Sequence, residues 1–248
     1  MLTQGIQLHN LPSQPTPFIG REPEIAEIVG LLNDANCRLL TLLGLGGIGK
    51  TRLAIEVARR FIENDGTAKL LFPDGVFFIP LASLVSPNSI VPTIANILDF
   101  HFYKDTPIRE QLLDYLRARR LLLVIDNFEH LLDGSDLLTE ILESSSGVQI
   151  LVTSREALNI QFEWRREVFG LDVPNGEQIH NSEAYSAVQL FIQRTQQMRK
   201  DLDLHTEQEA ITKICRLVAG VPLALELAAT WIKTLNCGAI ANEIQVNV

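Results

Sequence analysis

The chain is 248 residues long, with 21 Lys+Arg against 30 Asp+Glu and a formal charge of −9. Its 46% hydrophobic and 21% charged residues are ordinary globular values and exclude disorder or a coiled coil. The acidic balance also excludes a broad electrostatic footprint for a phosphate backbone, so this chain is expected not to bind nucleic acid directly.

At this length, one large domain or two small ones are expected, with enough core to fold without a disulfide or structural metal. Cys37, Cys215 and Cys237 form no C-x-x-C pair and read as reduced thiols. No basic region followed by an apolar core opens the chain, and no apolar run is long enough to span a membrane. A cytoplasmic protein without membrane partners is expected.

Residues 1–17 carry Pro12, Pro15 and Pro17 and read as an extended lead-in. A helix follows, with Ile25, Ile28, Val29 and Leu32 on one face. The run RLLTLL at 38–43 is short, apolar and bounded by glycines, as suits an inner strand of a parallel sheet. Helical spacing then places Leu53, Ala54, Val57, Ala58 and Phe61 inward. Strands are expected at 76–79, 121–125, 149–152 and near 166–171, and helices at 88–98, 107–118 and about 130–145. After Pro174 the strands stop, and three amphipathic helices are expected at 182–199, 206–219 and 222–236. Trp164 and Trp231 read as core or domain-interface residues.

Strands alternating with helices imply right-handed crossovers and a sheet covered on both faces. Residues 44–51, GLGGIGKT, fit G-x-x-x-x-G-K-[ST] between a buried strand and an amphipathic helix. Glycines there let successive N–H groups curl around phosphate oxygens, and the helix start adds its positive dipole end. Lys50 is placed to reach the β- and γ-phosphates of a nucleotide and Thr51 to ligate Mg2+. The expected fold is therefore an α/β P-loop NTPase, a three-layer parallel sheet over 18–173, with a small all-α domain over 174–248.

The strand LLLVID ends in Asp126, an acid placed to hold Mg2+ with Thr51. Asn127 cannot accept a proton, which leaves Glu129 as the candidate general base or, equally, as a solvated first-turn residue. Thr153, Ser154 and Arg155 follow the next buried strand, at the edge where loops converge on a nucleotide. Arg155 is placed to sense the terminal phosphate, and Thr153 or Ser154 to hydrogen-bond the site. An N-capping Ser154 with a surface arginine is the alternative.

These pieces in this order resemble the signal-transduction ATPases with numerous domains (STAND), in particular the NB-ARC-like bacterial regulators. The resemblance rests on PFIGRE at 17–22, GLGGIGKT at 44–51, LLLVIDNFEH at 121–130, ILVTSRE at 150–156 and GVPLALELAA at 220–229. It implies that Phe18, Ile19 and Arg21 pack against adenine and that Pro222 closes over the nucleotide. With Gly44, Gly46, Gly47, Ile48, Gly49, Lys50, Thr51 and Arg52, these form the candidate nucleotide-binding set. Lys50, Asp126, Glu129 and Arg155 form the candidate catalytic set, and Thr51 and Asp126 the metal pair.

The resemblance further implies slow ATP hydrolysis, exchange between ADP and ATP states, and self-association or protein partners reached through domains beyond residue 248. A winged helix and repeats are expected there, so the chain reads as the core of a larger regulator. Asn127, where such proteins carry a second acid, argues against rapid hydrolysis. A steadily turning-over ATPase or phosphotransferase is the alternative reading, and an interaction module with a vestigial loop is a third.

Overall fold

The computed structural model describes residues 8–63, 71–174, 182–199 and 204–247, so the first seven residues of the expected lead-in lie outside the described residues. Contacts divide the chain into two compact units. One comprises Met1–Thr16, Pro23–Gly44 and Lys50–Glu167; the other comprises Pro17–Glu22, Leu45–Gly49 and Val168–Val248.

The first unit is built on five strands: β1 (Leu39–Leu43), β2 (Gly75–Pro80), β3 (Leu121–Asp126), β4 (Gln149–Ser154) and β5 (Glu163–Glu167). All pair in parallel, in the order β2-β3-β4-β1-β5. Every residue of β3 is buried, as a strand covered on both faces requires. Because successive side chains alternate in direction, Leu121, Leu123 and Ile125 pack on one face with Ile150 and Val152. Ile94 of α3 (Ile90–Ile97), Leu112 and Leu116 of α4 (Ile108–Arg117) and Ile141 of α5 (Asp136–Ser144) cover that face. On the other, α2 (Lys50–Glu63) buries Leu53, Val57 and Phe61. Preceding β1, α1 (Glu22–Asn33) buries Ile25, Ile28 and Leu32, three of the four expected positions.

The lead-in acts on the sheet edge. Leu8 accepts from the Val76 N–H at 3.0 Å, and His9 forms a parallel bridge with Val76. Asn10 then imitates a strand with its side chain, donating from Nδ2 to the Phe78 carbonyl at 2.8 Å and accepting the Phe78 N–H at 2.6 Å. These contacts satisfy ladder groups that β2 would otherwise present bare.

Among the described residues, the second unit contains four α-helices: α6 (Ser186–Met198), α7 (Leu204–Leu217), α8 (Pro222–Thr230) and α9 (Cys237–Asn247). Phe191, Ile214, Leu225, Ile232 and Ile240 share its core. Arg194 is buried on α6, and its Nη2 lies 2.8 Å from Glu226 Oε1 of α8.

Several elements depart from expectation. The fifth strand occupies Glu163–Glu167 rather than a stretch near 166–171. Val168 and Leu171, within the expected stretch, are buried in the second unit. The stretch expected as one helix over 130–145 is two single turns, Phe128–His130 and Leu132–Gly134, followed by α5. α8 ends at Thr230 and α9 is a fourth helix, started by Asn236, whose Oδ1 accepts the Ala239 N–H at 2.8 Å. Trp164 and Trp231 are 40% and 44% exposed, so neither is a core residue.

Candidate functional site

β1 ends at Leu43 and α2 starts at Lys50, and the chain between them turns sharply. Ile48 donates its N–H to the Leu45 carbonyl at 3.3 Å. Gly47 and Gly49 have φ of +77° and +95°, a region that L side chains rarely adopt, so the curl needs glycine at both positions.

In the second unit, the loop is held by named groups. A Cβ on Gly47 would meet Leu223 Cβ at 2.8 Å, and one on Gly49 would lie 3.7 Å from Pro222 Cγ. The Leu223 N–H, in the first turn of α8, donates to the Gly47 carbonyl at 3.2 Å. Pro222, at the first helical position where its missing N–H costs nothing, therefore stands beside the loop. Arg21 is buried and donates from Nη2 to the carbonyls of Ile48 at 2.9 Å and Phe169 at 2.7 Å. Ile19 packs against the helical core, Phe18 is half-buried, and Gly46 is exposed.

In the first unit, Lys50 Nζ donates to the Gly44 carbonyl at 2.7 Å. Burial holds its ammonium below the ordinary lysine range; Glu129 opposes that shift, Arg155 adds to it, and Asp126 opposes it. Asp126 is the last residue of β3, and its Oδ1 accepts from Thr51 Oγ1 at 2.7 Å and from Thr153 Oγ1 at 2.6 Å. The same Thr153 oxygen accepts the Asn127 N–H at 3.0 Å. Asn127 has φ +69°, a left-handed turn that Asn tolerates better than most residues, and two residues on Glu129 is turned back into the structure. Glu129 is not solvated: its side chain is 14% exposed, and Oε1 lies 3.0 Å from Arg155 Nε.

The sheet order explains this convergence. β4 lies between β3 and β1, with Ile125 opposite Val152 and Leu42 opposite Thr153. One step further along β3, Asp126 comes beside Thr153 at the carboxyl ends of the strands. Thr153, next to last in β4, holds Asp126 only because β4 lies beside β3, an adjacency that the order of residues does not show. Ser154 instead accepts the Glu156 N–H at 3.2 Å in a local turn, and since residues 155–162 form no helix, it is not the N-cap weighed as its alternative. Arg52 turns to the lead-in and donates to the Thr16 carbonyl at 2.9 Å.

Taken unit by unit, these groups fit parts of a nucleotide complex with Mg2+. The Thr51 hydroxyl and the Asp126 carboxylate offer adjacent hard-oxygen ligands. The loop supplies the positive-φ glycines of a phosphate cradle, and a lysine stands at its end. Glu129 Oε2 is buried with no hydrogen-bond partner, an acceptor left open.

Comparisons with known proteins agree with this geometry. The family described as AAA domain matches residues 33–162, just over half of the chain. An uncharacterized protein of Mycobacterium tuberculosis is 30% identical over 230 residues, 92% of this chain and 54% of its own length. A second protein of that organism, named provisionally as an HTH-type transcriptional regulator, is 31% identical over 210 residues, 84% of this chain and 22% of its own. The chain thus spans about half the length, or less, of these curated relatives. Among solved structures, the STAND protein with a tetratricopeptide repeat sensor from Pyrococcus horikoshii superposes with a TM-score of 0.56 at 16% identity. That match covers 96% of this chain and 33% of the other. Cdc6p from Pyrobaculum aerophilum superposes with a TM-score of 0.55 at 14% identity, covering 95% and 65%. At such identities these two structures speak for the fold alone.

Proposed function

The chain belongs to the AAA-domain family, and from that premise we propose that it is an ATP/ADP-binding switch with slow Mg2+-dependent hydrolysis, the core of a larger STAND-type regulator. The convergence of Thr51, Asp126 and Thr153 on one carboxylate oxygen is the observation that carries this reading. It is a pre-formed oxygen site next to a lysine, of the kind P-loop proteins use for metal and phosphate.

In this reading, Lys50 leaves the Gly44 carbonyl and binds the terminal phosphates. Thr51 and Asp126 hold Mg2+, which when bound neutralises charge developing on the phosphate oxygens. Thr153 keeps the Asp126 carboxylate turned to that position. Arg155 reads the terminal phosphate, and Glu129 orients or deprotonates the attacking water once Arg155 has left it. Phe18, Ile19 and Pro222 border the base. We take 18–173 as the nucleotide-binding domain and 174–248 as the helical domain whose rearrangement and self-association the nucleotide controls. A role in signalling accords with the name of the relative described provisionally as an HTH-type transcriptional regulator.

A second reading, a steadily turning-over ATPase or phosphotransferase, draws on the open Oε2 of Glu129. A steady-state rate of about 1 per second or above would favour it. The test of nucleotide binding is a thermal shift with ADP or ATP and Mg2+, repeated on Lys50→Ala. The shift is expected in the wild type and lost in the variant; an unchanged shift in Lys50→Ala overturns the site.

A further inference from the structure

Arg21 is buried at 5% exposure, yet its backbone sits at φ +69°, a left-handed conformation that costs a non-glycine residue about 1 kcal/mol or more. Such strain persists only where surrounding contacts over-determine the residue. Those contacts include two backbone carbonyls remote in sequence, Ile48 at 2.9 Å and Phe169 at 2.7 Å, both accepting from the same Nη2.

The Ile48 carbonyl belongs to the peptide unit whose N–H is that of Gly49, and that peptide is trans, since the described chain has no cis bond. In a trans peptide the C=O and N–H point in opposite directions. A cation fixed on the carbonyl therefore turns the Gly49 N–H to the opposite side and strengthens the dipole pointing there. The preceding peptide is fixed in the same manner, because the Gly47 carbonyl accepts the Leu223 N–H at 3.2 Å. Two consecutive carbonyls of the loop are thus tied back by outside donors, and only one of those donors is charged.

We propose that Arg21 is a positioning residue for phosphate, acting through the Ile48–Gly49 peptide rather than by contact with the base. This rests on the nucleotide reading above and goes beyond it, since that reading gives Arg21 no part and the family resemblance implied only packing against adenine. The guanidinium sets the direction of a loop N–H and raises its positive potential before any phosphate arrives. Its strained backbone is the cost of delivering a full charge to that carbonyl.

The role separates from a base contact by ligand. Binding of ADP and of adenosine to the purified protein is measured by titration calorimetry for wild type, Arg21→Gln, Arg21→Lys and Lys50→Ala. Arg21→Gln is expected to weaken ADP about tenfold, the effect of one hydrogen bond to a charged group, and to leave adenosine within about twofold. Arg21→Lys, which keeps the charge but not the planar fork, is expected to recover part of the ADP affinity. Equal losses for ADP and adenosine, or no loss for either, overturn the inference. If Lys50→Ala loses ADP while Arg21→Gln does not, the inference fails and the nucleotide reading stands. If wild type binds no ADP, both fail.

Should neither Arg21 variant fold, wild-type amide spectra carry the test. Titrated pyrophosphate is expected to shift the Gly49 N–H while the Arg21 side-chain N–H stays in place. Movement of the Arg21 signal without Gly49 overturns the inference.

Discussion

Arg155 Nε stands 3.0 Å from Glu129 Oε1, so the residue expected to read a terminal phosphate holds the residue expected to handle water. Arg155 is 63% exposed at its side chain and Glu129 only 14%, so the arginine is the partner free to swing. If Arg155 reads the phosphate through this Nε, one N–H cannot serve both, and the carboxylate must be released as the phosphate arrives.

Arg155→Ala is therefore expected to weaken ATP by about tenfold while changing ADP by about twofold or less, as loss of a charge-assisted contact to one phosphate implies. Titration with each nucleotide decides it, and equal losses for both would remove Arg155 from the terminal phosphate. Glu129→Gln is expected to keep ATP binding and to abolish turnover. Retained turnover would exclude Glu129 as the base.

Thr153→Val is expected to cost about 1–3 kcal/mol of stability, because the Asn127 N–H loses its Thr153 acceptor in a partly buried setting. Asp126 Oδ1 would keep a single hydroxyl donor, from Thr51. Urea unfolding measures the first effect. The Mg2+ concentration needed for half-maximal ATP binding measures the second and is expected to rise. If both values match wild type, Thr153 does not position the acid.

Cys37, Cys215 and Cys237 are each fully buried. Burial pushes their thiols up, to about 11 for Cys37 and about 12 for Cys215 and Cys237. A raised native value means the folded chain keeps protons that the unfolded chain releases above about pH 8.5. Stability from this source is complete below that pH and falls by up to about 1.4 kcal/mol per thiol per pH unit as pH climbs toward the native values. Unfolding curves between pH 8 and 10.5 should steepen this loss in wild type relative to a triple Cys→Ala variant. Parallel curves would refute the assignment. A thiol reagent at pH 8 should label none of the three until denaturant is added.

Asn10→Ala removes both side-chain bonds to Phe78 and is expected to cost about 1 kcal/mol, the net worth of exposed hydrogen bonds. Light scattering on warming should rise earlier, because the β2 edge is opened to pairing with another chain. Asn10→Asp keeps the acceptor for the Phe78 N–H and should fall between. An Asn10→Ala protein that is as stable and as soluble as wild type would show that the edge needs no cover.

Much of this fold is legible in residue order because its inner strands are apolar on both faces and bounded by breakers. RLLTLL and LLLVID needed no partner to be recognised. β5 was displaced because EWRRE is an edge strand, with Arg165 paired to Glu163 and Arg166 to Glu27, so its composition resembles a loop. At the site, the glycine motif and Asp126 could be read from spacing along one chain. The role of Thr153 could not, since it depends on β4 lying next to β3, a fact of strand order. The linkage of Arg21 to Ile48 was hidden for the same reason, since 27 residues separate them.

The strand order also sets a schedule for biosynthesis. β1 carries the phosphate loop at its end, yet among the described residues its strand neighbours are β4 and β5, whose first pairing places Leu39 opposite Ile150. A ribosome that has just released β1 must add roughly another hundred residues before that ladder can close, and non-local closure of this kind slows folding. Through that interval LLTLL has no sheet to join, while β2 and β3, made later, can already pair with each other. The nascent chain therefore holds its most apolar early strand waiting for its latest ones, the stretch over which a chaperone would find the most to bind.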